Sequence, residues 1–291
     1  MILTAVIAKI GRMKTVLIIS SYVSASRVGA TATAFCMRRL GVEAIVLPTT
    51  MFGRHPGWGP PGGLSTAPEL LRDMWKGIKA QNINFDGIMT GYMAHPDHVS
   101  LSSEIIDHLK SKNPSIKTLI DPVMGDHGKL YVKDSIAKAI KTKLLTRADI
   151  ITPNIWELGY VMNDTATSVD DIEHILKSYG SIAIVTSVPF KGEDKKDEIG
   201  VFFKNKTKSA LITHPKFESV PNGGGDSLAG IFFAHYLNGL TPIEALAKAT
   251  SSIFTIIQAA NEKDLGELPL IRMQGALMNA PALKIKTKPY D

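Results

Sequence analysis

Short apolar runs rich in β-branched residues alternate with amphipathic stretches along the whole chain of 291 residues. The runs predict strands over 15–21, 42–47, 85–90, 117–121, 148–152 and 182–186. The stretches between and after them predict helices over 29–40, 67–80, 97–110, 135–145, 168–179, 226–237 and 242–258. Parallel strands need such crossover helices. The chain is therefore predicted to be an α/β protein with a three-layer α/β/α architecture and a central, mostly parallel sheet.

Local signals refine this prediction at several places. Pro48 is expected to end the second strand, and Asp97 is expected to cap the third helix at its N-terminus. Two runs at 199–204 and 209–213, with Asn205 near their turn, predict a β-hairpin on the C-terminal side of the sheet. The charged run Lys191–Glu198 is expected to be a solvated loop.

Composition narrows the class of protein. Hydrophobic residues make up 44% and charged residues 21%, which is typical of a globular chain. We expect residues 1–13 to be a flexible extension, with Met1 or Met13 as the start, and residues 14–291 to form one domain. No apolar stretch reaches the ~18 residues of a transmembrane helix, and the single cysteine, Cys36, favours a cytoplasmic protein. The net charge of +6 suits anionic ligands, but no basic-aromatic motif predicts nucleic-acid binding.

Polar side chains follow most of the predicted strands. In an open parallel sheet, ligands bind at the carboxyl ends of the strands. The polar residues found there are Ser21, Tyr92, Asp121, Thr152, Thr186 and Ser187. The loop at 53–63, which holds His55 and Trp58, follows the second strand. Position and residue type together predict a binding site at this edge.

Three glycines, Gly223 to Gly225, lead directly into the predicted helix at 226–237. Glycine lets backbone N–H groups approach an anion, and a helix N-terminus adds positive potential. Asp226 then stands where it could accept a proton from a hydroxyl that attacks a phosphate. The alternative is that Asp226 only caps the helix. The segment is not a Walker A loop, because the G-x-x-x-x-G-K-[ST] pattern is absent.

Four ordered segments carry a family resemblance. They are Thr90-Gly-Tyr92, Asp121-Pro-Val-Met-Gly-Asp126 followed by Gly128 and Leu130-Tyr-Val132, Ala148-Asp-Ile-Ile-Thr-Pro-Asn154 with Glu157, and Gly223-Gly-Gly-Asp226. With these the chain resembles the ribokinase-like vitamin kinases, and within them the pyridoxal kinases. The resemblance implies a ribokinase-like fold, a homodimer, and ATP-dependent phosphorylation of the 5′-hydroxymethyl group of pyridoxal, pyridoxine or pyridoxamine with Mg²⁺ and a monovalent cation, expected to be K⁺.

The resemblance also implies roles for individual residues. Asp226 would be the catalytic base, and the backbone of Gly223, Gly224 and Gly225 would form the anion hole for the γ-phosphate. The implied nucleotide-binding residues are Asp121, Asp126, Tyr131, Asn154, Thr186 and Ser187. The implied metal-binding residues are Asp121, Thr152 and Thr186 for the monovalent cation, and Asn154 and Glu157 for Mg²⁺, largely through water. The implied substrate-binding residues are Ser21, His55, Tyr92 and Asp226.

The chain departs from the family pattern mainly on the substrate side. Gly224 replaces a Thr or Val, and Gly53-Arg-His-Pro56 stands where many members have S-N-H-T. Hydroxymethylpyrimidine kinases carry a Cys at the position of Asp226, which argues against that branch. Two alternatives stay open: a kinase of the same fold that acts on another small alcohol, such as a sugar or a pyrimidine, and a non-catalytic sensor of B6 vitamers or nucleotides. The sequence does not decide whether the loop at 53–63 is a lid.

Overall fold

The computed structural model describes residues 12–191 and 197–287. Its strands are β1 (Lys14–Val23), β2 (Val42–Phe52), β3 (Gly63–Ser65), β4 (Gly87–Thr90), β5 (Lys117–Ile120), β6 (Gly125–Asp126), β7 (Lys129–Leu130), β8 (Ile150–Ile151), β9 (Ile182–Lys191), β10 (Asp197–Lys204), β11 (Ser209–Pro215) and β12 (Ile285–Thr287). Its α-helices are α1 (Gly29–Arg39), α2 (Pro68–Ala80), α3 (Pro96–Lys112), α4 (Asp134–Ala139), α5 (Ile155–Met162), α6 (Val169–Ile175), α7 (Gly224–Leu237), α8 (Pro242–Glu262) and α9 (Ala276–Asn279).

Ten of these strands form one sheet in the order β12-β11-β10-β9-β8-β5-β4-β1-β2-β3. The six strands from β9 to β2 in that order are parallel to one another. The strands at both edges are antiparallel, and β10 and β11 form the predicted hairpin. β6 and β7 pair separately as a short ribbon. The prediction of a mostly parallel α/β sheet with a hairpin on its C-terminal side is confirmed.

The two faces of the sheet carry separate hydrophobic clusters. Successive side chains of a strand point to opposite faces, so Val16 and Ile18 of β1 pack on one side and Leu17 and Ile19 on the other. The first side is covered by α1, α7, α8 and α9. The second is covered by the helices from α2 to α6. The sheet is thus the middle of three layers.

Pro48 does not end its strand, contrary to the prediction. β2 continues to Phe52, and its pairing with β1 shifts by one residue between Ser20 and Tyr22. Proline lacks the N–H that a central ladder needs, but a bulge accommodates it. The strand therefore extends to the loop at 53–63.

The expected N-cap of α3 is also wrong by two residues. The helix begins at Pro96, and the His95 side chain accepts a hydrogen bond from the backbone N–H of Asp97. Proline suits the first turn of a helix, since its missing N–H would have no partner there. His98 is buried in this helix, and its Nε2 lies 2.8 Å from the backbone oxygen of Thr66.

The ends of other predicted segments differ as well. β9 extends to Lys191 and β10 begins at Asp197, so both strands enter the run that was expected to be a solvated loop; residues 192–196 lie outside the described residues. Of the predicted extension, residues 1–11 lie outside them as well. Arg12 binds the Asp86 carboxylate at 2.6 Å, just before β4. No helix in the described part of the chain has the length and apolar character to span a bilayer.

Candidate active site

A cleft with a volume of about 660 Å³ opens at the carboxyl ends of the parallel strands. With one exception, all predicted site residues line it: Ser21, His55, Tyr92, Asp121, Asp126, Tyr131, Thr152, Asn154, Glu157, Thr186, Ser187, Gly223, Gly225 and Asp226. The exception, Gly224, is the first residue of α7, where a side chain would meet only Ile257. Segments separated by up to about two hundred positions are thus brought together because the strands end at one edge.

Asp226 lies in the first turn of α7 and faces the cleft. Burial raises the pKa of its carboxyl group, while a hydrogen bond from the backbone amide of Gly29 and the nearby His55 act in the opposite direction. The N-cap position is Gly223, which provides no side-chain cap. No side-chain hydrogen bond caps α7, so the alternative of a helix-capping Asp226 does not describe its contacts.

Gly223 can only be glycine in this backbone. Its φ is +93°, and a Cβ on it would overlap the backbone oxygen of Arg27. Gly225 has open space around its Cα on the cleft side. The loop therefore presents backbone, with no side chain, beside the Asp226 carboxylate, which is the arrangement that an anion needs at a helix N-terminus.

Asp121 follows β5 directly and is buried beneath the cleft. Its pKa is raised well above the ordinary value by burial first, then by the charges of Glu157 and Asp226, and it is held down in part by the Thr152 hydroxyl. A nearby cation favours the ionised form of a carboxyl group whose pKa is raised in this way. Asp121 is therefore the strongest candidate for a residue that binds a cation in the cleft.

Asn154 and Glu157 form a capping box at the start of α5. The Asn154 side chain accepts from the Glu157 amide at 2.8 Å, and Glu157 Oε2 accepts from the Asn154 amide at 2.9 Å. Glu157 Oε1 also accepts from the amides of Met124 at 2.7 Å and Gly125 at 3.3 Å. Burial raises the pKa of Glu157, and these three amides oppose the shift. Both side chains thus join the segment after β5 to the segment after β8.

The outer wall of the cleft is formed by Asp126, Tyr131 and Ser187. Asp126 and Tyr131 lie on and just after the β6–β7 ribbon, and the Tyr131 amide donates to Met124 at 3.0 Å. Ser187 has a φ of +59°, and Val123 at the base of the ribbon has a φ of +25°. Such values are rare for residues with a side chain and concentrate at functional sites. The Thr186 amide donates a hydrogen bond to the backbone oxygen of Pro153, and Thr186 forms a parallel β-bridge with Asn154.

The opposite end of the cleft holds Ser21, His55 and Tyr92. His55 Nδ1 accepts a hydrogen bond from the Gly57 amide at 3.1 Å, and Nε2 takes no part in that bond. Burial lowers the pKa of His55, so its imidazole is neutral near pH 7, and burial raises the pKa of Tyr92. The Trp58 ring packs edge-on against His55 with centroids 5.8 Å apart. This end offers neutral hydrogen-bonding groups to a polar ring.

Carboxylates dominate the charge of the cleft. Four line it, and no Lys or Arg of residues 12–191 and 197–287 does. Within those residues no three His, Cys, Asp or Glu side chains stand close enough to hold a metal by themselves. Mg²⁺ keeps several waters and binds through one or two carboxylates together with phosphate oxygens. The oxygen-only donor set therefore fits Mg²⁺ that arrives with a nucleotide.

Comparisons with known proteins agree with this geometry. The phosphomethylpyrimidine kinase family model matches residues 64–270. The pyridoxal kinase PdxY of Corynebacterium diphtheriae is 30% identical over 280 residues, which cover 94% of this chain and 98% of that protein. The chain belongs to the pyridoxal kinase family. The membership that the motifs predicted is confirmed, and with it the enzyme class.

Solved structures of pyridoxal kinases share the fold. That of Entamoeba histolytica superposes with a TM-score of 0.85 at 26% identity, covering 95% of this chain and 100% of its own. The pyridoxal kinase of Leishmania donovani in complex with ADP and pyridoxamine has a TM-score of 0.86 at 21% identity, again covering 95% and 100%. At the latter identity the likeness concerns the fold alone.

Sequence reasoning missed several residues of the site. Gly29, Asn222, Val28 and Phe52 line the cleft as well. Gly29 has a φ of +54°, and a Cβ there would overlap Ser21. Asn222 lies next to the glycine loop, and its Nδ2 is 3.5 Å from His55 Nδ1. A glycine as the first residue of a predicted helix was an available signal for Gly29.

Proposed function

We propose that this pyridoxal kinase transfers the γ-phosphoryl group of ATP to the 5′-hydroxymethyl group of pyridoxal, or of pyridoxine or pyridoxamine, in vitamin B6 salvage. The observation that carries the proposal is the position of Asp226. Its carboxylate lies beside the glycine loop of Gly223 to Gly225 and faces the cleft, and α7 has no side-chain cap that would occupy it. It is available as a base next to an anion hole.

In the proposed reaction the vitamer hydroxyl gives its proton to Asp226 while its oxygen attacks the γ-phosphorus. The new O–P bond forms as the bond to ADP breaks, and ADP leaves with that electron pair. The amides of the glycine loop stabilise the charge of the transferring group. Burial favours proton uptake by Asp226, since the neutral acid is the cheaper form in a low-dielectric site.

Cations are required because the cleft is acidic. We assign Mg²⁺ to the Asn154 and Glu157 side, where most contacts pass through water because the Glu157 oxygens already accept three amides. We assign a monovalent cation, expected to be K⁺, to Asp121 and Thr152. When bound, Mg²⁺ supplies charge neutralisation on the phosphates during transfer.

The two ends of the cleft suit two different ligands. Asp121, Asp126, Tyr131, Asn154, Thr186 and Ser187 are proposed to hold the nucleotide. Ser21, His55 and Tyr92 are proposed to hold the vitamer near Asp226. The fold neighbour from Leishmania donovani, solved with ADP and pyridoxamine, supports a pair of ligands of this kind.

Hydroxymethylpyrimidine is the second candidate substrate. It is favoured by the match to the phosphomethylpyrimidine kinase family model, which covers residues 64–270. Both candidates carry a primary alcohol on an aromatic ring, so the same base and anion hole would serve. The neutral groups around His55 do not distinguish the two rings.

An ADP-release assay with Mg-ATP and K⁺ tests the proposal. The panel contains pyridoxal, pyridoxine, pyridoxamine, hydroxymethylpyrimidine and small sugars. Turnover of a B6 vitamer is expected, with a loss of about 10²–10⁴-fold in kcat for Asp226→Asn and retained ATP binding. Exposed Asp73→Asn is the matched control and keeps full activity.

Three other results would each contradict part of the proposed function. Turnover of hydroxymethylpyrimidine or a sugar alone would keep the mechanism and overturn the vitamer assignment. ATP binding without any turnover would favour a sensor. Full kcat in Asp226→Asn would remove the base.

We also propose a cytoplasmic homodimer. Met51 and Leu64 pair across β2 and β3, and both side chains are exposed, Leu64 by 78%. A second copy would bury this apolar edge. Light scattering of the wild type and of Leu64→Lys tests the dimer, which the variant should weaken; a monomeric wild type would overturn it.

A further inference from the structure

The first residues of α1 pack across the glycine loop that precedes α7. The backbone oxygen of Arg27 lies against Gly223 so closely that a Cβ does not fit. The backbone of Gly29 lies near the Asp226 carboxylate and lowers its pKa. The Thr33 hydroxyl donates to the Asp226 backbone oxygen at 3.2 Å, across 193 positions of sequence. One helix therefore approaches Asp226 at both its side chain and its peptide.

Thr33 is well placed to fix that peptide. It is 1% exposed, and α1 and α7 approach so closely here that a Cβ on Gly230 would lie 3.1 Å from Thr33 Cγ2 and 3.2 Å from its Cα. A β-branched side chain in a helix has few rotamers. A change of rotamer that moved the hydroxyl would also move the methyl group that packs against α7 at Gly230.

We propose that Thr33 is a positioning residue for the catalytic base, because its hydrogen bond to the Asp226 peptide fixes the first turn of α7 and thereby keeps the Asp226 carboxylate directed into the cleft. The proposal rests on the role of Asp226 given above. A carbonyl oxygen has two lone pairs, so the bond from Thr33 adds to the one from the α7 ladder. Small displacements of a catalytic group are costly in rate.

The position of the carboxylate also sets its charge. His55, Asp121, Cys36 and Tyr131 are the titratable groups coupled electrostatically to Asp226. Of the contacts that favour the ionised form, the Gly29 amide is the largest. If Asp226 drifts from that amide, its proton is released less readily.

Two substitutions at one site separate the hydrogen bond from packing. Thr33→Val keeps the shape and removes the hydroxyl, whereas Thr33→Ser keeps the hydroxyl and removes the methyl group. We expect kcat for the accepted vitamer to fall about tenfold in Thr33→Val and to stay within about twofold of wild type in Thr33→Ser. KM for both substrates should change less than about twofold in each.

The matched control is Thr255→Val in α8. The Thr255 hydroxyl bonds only the Ser251 oxygen of its own helix at 2.9 Å among the contacts recorded for it in the described chain. It should leave kcat unchanged. The acid limb of kcat/KM should move to higher pH in Thr33→Val and stay in place in Thr33→Ser and Thr255→Val. A change in packing alone would not produce that pattern.

The test also includes Thr33→Val in the Asp226→Asn background, where the added change should have no further effect on kcat, since both act through one group. The inference is overturned if Thr33→Val retains kcat, if Thr33→Ser is equally slow, or if only KM changes. Its failure differs from failure of the proposed function, which would appear as full activity of Asp226→Asn alone.

Discussion

The Glu157 carboxylate accepts a 2.7 Å hydrogen bond from the backbone amide of Met124, 33 positions earlier in the chain. It thereby joins the loop after β5 to the first turn of α5, which begins after β8. The loop contains Val123 at a positive φ, a conformation that persists only where neighbouring contacts impose it. The two motifs around Asp121 and Asn154 are thus one structural unit.

Removing this carboxylate should destabilise the fold. Glu157→Ala leaves the amides of Met124, Gly125 and Asn154 without their acceptor. An orphaned buried donor costs about 1–3 kcal/mol, and removal of a buried carboxylate offsets part of that cost, so the free energy of unfolding should fall by about 1–3 kcal/mol. Denaturant titration measures it. The same substitution at exposed Glu262 should cost less than about 0.5 kcal/mol, and equal losses at the two sites would contradict the assignment.

The ionised Asp121 should destabilise the folded protein, although the proposed function uses it to bind a cation. Its pKa is higher in the folded state than in the unfolded state, because burial and the charges of Glu157 and Asp226 oppose ionisation. The ionised group therefore destabilises the fold as the pH rises above the unfolded value. Without Mg²⁺ or K⁺, Asp121→Asn should melt a few degrees higher than the wild type at about pH 7.5. In the activity assay with both cations, the variant should be nearly inactive. The gap in melting temperature should narrow toward about pH 5; a lower melting temperature at neutral pH would refute the argument.

The glycine loop should tolerate a methyl group at one position and reject it at the preceding one. Gly223→Ala forces a side chain onto Arg27 at φ +93° and should lower the free energy of unfolding by more than about 2 kcal/mol. Gly224→Ala, inside the first turn of α7 with only Ile257 nearby, should raise it by about 0.5–1 kcal/mol. Thermal melting of the two variants side by side is the measurement, and a similar effect at both would mean that the loop relaxes.

Activity should fall on acidification as Asp226 takes up a proton. Burial raises its pKa above the ordinary 3.8, and the base works only when ionised. The logarithm of kcat/KM for the vitamer should rise with unit slope through that apparent pKa and then level off toward neutral pH. Initial rates between about pH 4.5 and about pH 8 at saturating Mg-ATP test this. A profile that stays flat to the acid end would assign proton removal to another group.

The alternation of strands and helices was sufficient to predict the architecture, because each pattern reports its own periodicity along a short stretch of chain. The same local information failed at Pro48 and at the start of α3. A bulge depends on the neighbouring strand, and a cap from His95 depends on where its ring packs. The loop predicted at 191–198 and the extension predicted over 1–13 stay predictions, because residues 192–196 and 1–11 lie outside the described residues.

The chain order alone determined which polar residues share the cleft, since parallel strands bring their carboxyl ends to one edge. Only the tertiary structure decided what holds them there. Thr33 contacts Asp226 from a helix almost two hundred positions away, and no local pattern encodes a contact between helices on one face of a sheet. The physical reason is that side-chain periodicity specifies which face a helix buries, whereas the packing of whole elements specifies which atoms meet.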